Sequence, residues 1–328
     1  MKQIICALAA AGPLAANTVT ACCAEAGDIL SINLVKWTPP DIGAVKDDAF
    51  GRLVKYGYAL MTDTANLIGP TVADPTKRFS GSNLTCQNCH LKAGTQIYSM
   101  PLIGVWGQFP QYRGREGEIG TLEERINGCM ERSMNGRALP LAGREMKAFL
   151  AYMKWLSTGI PDGAKLIGSG ALSIKEPARA ADPGHGQQVY AEVCAQCHGA
   201  DGHGRKAATG SGYEFPPLWG PDSYNDGAGM ARLLGAAAFL KHNMPYGTTF
   251  AAPVLSDADA YDVAAFVNNA ERPHRADLDK DFPNRLQKPV DTAYGPFADD
   301  FSSAQHKFGP FEPIRARLKE LSAQPPQR

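Results

Sequence analysis

The sequence has no excess of charge of either sign. Its 328 residues carry 33 basic and 33 acidic side chains, which excludes the basic face that nucleic-acid binding requires. Long apolar runs are also missing. "IICALAAAGPLAA", just after Lys2, is too short and too interrupted to span a bilayer comfortably, and no later segment could cross one. Cysteines are few, eight in all, and Cys6, Cys22 and Cys23 lie in or beside that first apolar run. The other five, Cys86, Cys89, Cys129, Cys194 and Cys197, are an odd set, which argues against a simple disulfide framework in an exported chain. No partner CxxC pair or further ligand cluster completes a zinc site.

The apolar run reads as an export signal over residues 1–26, ending in the small-x-small site "AEA" at 24–26. A second reading takes "VTAC" at 19–22 as a lipoprotein box, with the signal ending at residue 21 and a lipid on Cys22 tethering the chain to a membrane surface. Both readings place the protein in the periplasm. A length of 328 residues and 44% hydrophobic composition suit two domains, each with its own core.

An internal repeat supports that division. "CQNCH" (86–90) and "CAQCH" (194–198) stand one small domain apart, and each unit ends in an aromatic-rich helical pattern, at 143–157 and 256–270. The boundaries expected are an N-terminal domain over 27–157, a Gly/Pro/Ala-rich linker over 158–184, a C-terminal domain over 185–272 and a tail over 273–328. The tail is expected to wrap over the domains as irregular structure, with one terminal helix near 312–322. The fold class is mostly α, with long loops imposed by 34 glycines and 24 prolines.

CxxCH is the attachment signature of c-type haem. Cys86 and Cys89, and again Cys194 and Cys197, are spaced to form thioethers to the two vinyl groups of a haem, and His90 and His198 follow as proximal iron ligands. Two covalently bound c-type haems in two cytochrome c-like (class I) domains are therefore expected. For the second haem, Met244, followed by Pro245 and 46 residues after His198, is the expected distal ligand. The neighbouring Lys241 and His242 are expected to face solvent. For the first haem, Met100 is only ten residues after His90, too close to cross the haem edge. Cys129 occupies the equivalent slot: it precedes Tyr152 by 23 residues, as Met244 precedes Phe266 by 22. Met130, Met134 and an inert buried Cys129 are the alternatives at this position.

A thiolate ligand lowers the iron potential and presents a nucleophilic sulfur, which an electron carrier does not need. "TLEERINGCMERSMNG" opens with a capping box, Thr121 and Glu124, and a helix from there puts Arg125, Cys129, Arg132 and Ser133 at i, i+3 and i+4 spacings. "YRGREG" adds Arg113 and Arg115 on a Gly-rich loop. These arginines are surface charges paired with Glu116, Glu118, Glu123 and Glu131, or together they form a site for a sulfur oxyanion, whose oxygens suit guanidinium forks. His185, His203, His274 and His306 have no assigned role.

The stretches "LTCQNCHL", "EGEIGTLEERINGCMERSMNG", "EMKAFLAYMKWLSTGIP", "FPPLWGPDSYNDGAGM" and "YGPFADDFSSAQHKFGPFEPI" closely resemble the dihaem thiosulfate dehydrogenases. The resemblance covers nearly everything after the signal. It implies oxidation of two thiosulfates to tetrathionate, reversible in some members as tetrathionate reduction. It further implies a His90/Cys129 active-site haem and a His198/Met244 exit haem. Electrons would pass to a small cytochrome c or a dedicated cytochrome subunit. Some members place a lysine before the methionine; here Asn243 stands there. Ser133 and Asn135 match the family segment, where they hydrogen-bond the oxyanion or cap the helix end. Two rivals remain: a dihaem electron carrier without a substrate, and a sulfur enzyme with Cys-ligated haem that acts on a carrier protein's cysteine.

Overall fold

The computed structural model describes residues 30–324. The export signal and Cys22 lie outside them. Behind Asp48, whose carboxylate accepts from Gly51 N–H, apolar residues at helical spacing form α1 (Ala49–Thr62). Then come α2 (Thr64–Ile68) and, after the first CxxCH, the single turn α3 (Leu91–Gly94). The Thr121–Glu124 capping box forms and starts α4 (Leu122–Arg132). α5 (Arg144–Leu156) closes this half and packs on α1. In the second half, α6 (Pro183–Val189) widens into a π turn and runs into α7 (Ala195–His198). Next are α8 (Leu233–Asn243) and α9 (Asp257–Asn269), the latter headed by the expected Ser256–Asp259 capping box. α9 packs on both α6 and α8.

The repeat shows in the way these helices cross. A side chain at Gly57 of α1 would come within 2.2 Å of the Ala148 carbonyl oxygen and 2.6 Å of Tyr152 Cβ. One at Gly186 of α6 would come within 2.0 Å of the Asp262 carbonyl oxygen and 3.0 Å of Phe266 Cβ. Each crossing is so close that only glycine fits, and each uses the same four-residue step on the closing helix. Tyr152 and Phe266 are therefore equivalent, which is the alignment that pairs Cys129 with Met244 in sequence. The local structure at the two positions nevertheless differs, because Cys129 lies inside α4 and Met244 just past the end of α8.

Strand structure among the described residues is limited to short pairs. β1 (Ser31–Asn33) runs parallel to β4 (Lys165–Ile167), and the antiparallel pairs are β2 (Gln111–Arg113) with β3 (Glu118–Gly120) and β5 (Arg205–Lys206) with β6 (Tyr213–Phe215). The first part of the 158–184 segment is docked on the first half, and its later part, from Ile174 to Ala181, packs on the second half and the tail. Ile160 and Ala164 are buried with Leu34 and Ile103, and the carbonyls of Gly168 and Gly170 accept from the N–H groups of Tyr98 and Met100. This loop would otherwise leave backbone groups unpaired.

The tail contributes Phe311 and Ile314, both 0% exposed, to the core of the second half beside Tyr261 and Ala237. It holds the expected terminal helix, α11 (Glu312–Ser322), and a second short one, α10 (Ser303–Phe308), capped by Ser302. His306 is buried: its ring stacks on Phe297 at 3.8 Å, and its nitrogens bond to Val290 O and Asp299 Oδ1. It anchors the tail. No helix among the described residues is long and apolar enough to cross a membrane.

Candidate active site and haem-binding residues

Each motif histidine is oriented by a backbone carbonyl. His90 Nδ1 donates to Met100 O at 2.6 Å, and His198 Nδ1 donates to Pro216 O at 2.8 Å. A carbonyl only accepts, so the proton sits on Nδ1 and the Nε2 lone pair is left for a metal. Met100, too close to His90 to reach the far side of a haem, thus serves the site through its peptide oxygen. Burial also pulls the His198 imidazole below its ordinary value, favouring the neutral form that coordinates iron.

The five cysteines of the described residues are all free, and their environments divide them. Burial pushes the Cys86 thiol up to about 11, Cys89 up to about 12 and Cys194 up to about 11. These surroundings disfavour a thiolate and suit a neutral thioether. Burial also pushes the Cys129 thiol up, but the Arg125 guanidinium, helped by His90 and Arg113, outweighs it and brings the thiol down to about 6. Arg125 Nη1 donates to Cys129 Sγ at 3.0 Å, across the one-turn spacing of α4. After Arg125, His90 is the next group acting on the same sulfur. A sulfur and an imidazole nitrogen facing one another beside two paired thiols fit a c-type haem. Met130 and Met134 instead pack into the core of the first half, 2% and 5% exposed.

On the second side, Met244 follows α8, and Asn243 is buried and holds three backbone and side-chain partners from Gln96, Tyr98 and Phe239. The expectation that His242 faces solvent is wrong. It is 5% exposed, and its Nδ1 bonds back to Ala238 O. α8 is buried over most of its length, so its last turn points inward too. Lys241 is likewise tied down, by Asp257.

The four candidate arginines split into two pairs. Arg113 leaves β2 and lies over α4, its Nη2 only 3.8 Å from where a side chain at Gly128 would begin. Together with Arg125 it brackets Cys129. Arg115 and Arg132 turn the other way. Both donate to Gly227 O and to Asp281: Arg132 with two bonds of 2.9 and 2.6 Å, Arg115 with one of 3.0 Å. Tyr294 O–H adds a fourth bond to Asp281, at 2.6 Å. Ser133 caps α4 through its backbone N–H to Cys129 O. Asn135 accepts from Asn225 of the second half. Asp281, Tyr294 and Gly227 were missed in the sequence because no local motif marks them; only folding brings the tail to α4.

Two CxxCH motifs, each with its histidine oriented by a backbone carbonyl, define a dihaem c-type cytochrome. Residues 76–161 match the family described as SoxA/TsdA, cytochrome c domain, and residues 184–271 match cytochrome c. The chain is 43% identical over 235 residues to the thiosulfate dehydrogenase of Stutzerimonas stutzeri (strain A1501), covering 72% of each. It is 40% identical over 278 residues to that of Thiomonas intermedia (strain K12), covering 83% of this chain and 84% of that one. Among solved structures, it superposes on the thiosulfate dehydrogenase (TsdBA) of Marichromatium purpuratum with a TM-score of 0.68 and 34% identity, covering 85% of this chain and 55% of that one. This chain belongs to the thiosulfate dehydrogenase family and is an oxidoreductase with two c-type haems.

Proposed function

We propose that this chain joins two thiosulfate dianions into tetrathionate at Cys129, running in reverse as a tetrathionate reductase when the potentials favour it. The observation that carries this reading is the 3.0 Å contact from Arg125 Nη1 to Cys129 Sγ, a guanidinium that pulls the buried thiol down. Cys86, Cys89, Cys194 and Cys197, with His90 and His198, would hold the two haems, which when bound would supply one-electron acceptors on the way to a small cytochrome c or a dedicated cytochrome subunit. Arg125 and Arg113 hold the sulfonate of the first thiosulfate and offset its charge, and the Ser133 hydroxyl is a further donor one turn beyond Cys129. The Cys129 thiolate and the sulfane sulfur form an S–S bond with loss of two electrons. The sulfane sulfur of the second thiosulfate attacks the outer sulfur of that bond. Cys129 leaves as thiolate, and the two sulfane sulfurs become the centre of tetrathionate. Arg115 and Arg132, held by Asp281, keep the hairpin and the end of α4 in register. The signal over 1–26, or a lipid on Cys22, places the chain in the periplasm, where covalent haem and a cytochrome partner belong.

A steady-state assay on the haem-loaded protein tests this, with thiosulfate and an artificial acceptor in one direction and tetrathionate and a reduced donor in the other. Lack of turnover in both, with normal haem spectra, would leave an electron carrier. Turnover only with a carrier protein's cysteine would favour a conjugating enzyme. Within the site, Arg125→Met is expected to lower kcat/KM on the order of 10²-fold, the loss typical of one preorganised donor. Unchanged kinetics would remove Arg125 from the chemistry.

A further inference from the structure

Of the two guanidiniums that bracket Cys129, Arg113 is already occupied. Its Nε donates to Glu116 Oε2 at 2.9 Å and its Nη2 to Glu116 Oε1 at 2.8 Å. Two parallel bonds of this kind are how a guanidinium fork takes two oxygens of a sulfonate. The carboxylate is delivered by the β2–β3 turn itself, closed by Gly117 N–H on Arg113 O at 2.8 Å with Gly117 at a φ of +77°. Its charge also reaches Arg125 of α4 and Arg115 of the turn. Burial pushes the Glu116 carboxyl up, but its bonds to Arg113 and the nearby arginine charges pull it below the usual carboxylate range, so it is ionised at neutral pH. Arg115 offers no competing partner, being held by Asp281 and Gly227.

We propose that Glu116 is an internal competitor at the anion site, a specificity-determining carboxylate that holds the Arg113 fork until a sulfonate displaces it. The inference rests on the thiosulfate reading of the site. Glu116 is about a third exposed, with 32% of its side chain accessible, so it swings into water at little cost. Its negative charge weakens the hold on any sulfur dianion, product as well as substrate. Tetrathionate ends in the same sulfonate groups, and the returning carboxylate helps to expel it. A site with two free arginines would bind its product too well to turn over.

The test compares the full-length, haem-loaded wild type with Glu116→Gln, Glu116→Ala and Glu116→Asp. Glu116→Gln and Glu116→Ala are expected to lower the KM for thiosulfate roughly two- to tenfold, the range of an exposed ion pair and its charge. The inhibition constant for tetrathionate falls with it, and kcat does not rise. Glu116→Asp keeps the charge and stays near wild type. Calorimetric titration with inorganic sulfate, an unreactive dianion, is expected to show the same tightening without any turnover. Unchanged or weaker sulfate binding and an unchanged or higher KM in both uncharged variants, with normal haem spectra, would overturn the proposal and leave Glu116 as a prop for Arg113. A wild type inert to thiosulfate would sink the functional reading instead, while the sulfate titration would still decide the role of Glu116.

Discussion

Cys129→Gly is expected to retain both haems and to lose turnover by on the order of 10³-fold or more, as enzymes do when the nucleophile is removed. Haem retention follows because the covalent attachment lies elsewhere, at Cys86, Cys89, Cys194 and Cys197. The loss follows because the variant removes both the anionic sulfur that Arg125 stabilises and the atom that accepts the sulfane sulfur. The spectrum should lose its thiolate-ligated component while that of the second haem stays. Cys129→Met separates the two roles: it can restore a sulfur ligand but not a nucleophile, so it should also be inactive, with the first centre at a raised potential. Near-normal turnover in either variant would show that the cysteine is a ligand only, and the adduct mechanism would fall.

Asp281→Ala is expected to be the most destabilising single change in the tail. The Asp281 carboxylate is 7% exposed, and the two arginines it pairs with are 17% and 13% exposed. Without it two guanidiniums lie side by side with no counter-ion, and breaking a buried pair on one side costs about 3–5 kcal/mol. In a chain of this size that is a fall in Tm of roughly 4–7 °C. Turnover should fall with it, since the β2–β3 hairpin and the end of α4 lose their common anchor, and with them the placement of Arg113 against Cys129. Tyr294→Phe removes only one of the four bonds and should cost about 1 kcal/mol. Thermal unfolding followed by circular dichroism measures both. An Asp281→Ala protein as stable as wild type would mean that water replaces the carboxylate and that the tail does not organise the site.

Much of this site could be read from spacing alone, because c-type haem attachment is local chemistry. Two thiols and an imidazole must lie within five consecutive residues, so the motif is visible wherever it occurs. The α4 contact was legible for the same reason. Arg125 and Cys129 are one helical turn apart, and the Thr121–Glu124 box that starts the helix is also a short-range signal. The register that singles out Cys129 came from distances to Tyr152 and Phe266, and the helix crossings at Gly57 and Gly186 give it a physical basis.

What the sequence could not reveal was which charges meet. Arg113, Arg115, Arg125 and Arg132 look alike along the chain, yet two of them bracket the sulfur and two are held by a carboxylate about 150 residues or more further on. His242 was expected to face solvent and His306 had no assigned role; both are buried, because what they pack against comes from α8's own enclosure and from the folded tail. By itself, then, the sequence determined the two haem sites, the helical units that carry them and the unusual cysteine, since each depends on residues within a few turns of one another. The tertiary structure alone decided how the charges divide between Cys129 and Asp281, because electrostatic pairing depends on distance through space, and a chain reveals that distance only when its remote segments have closed on each other.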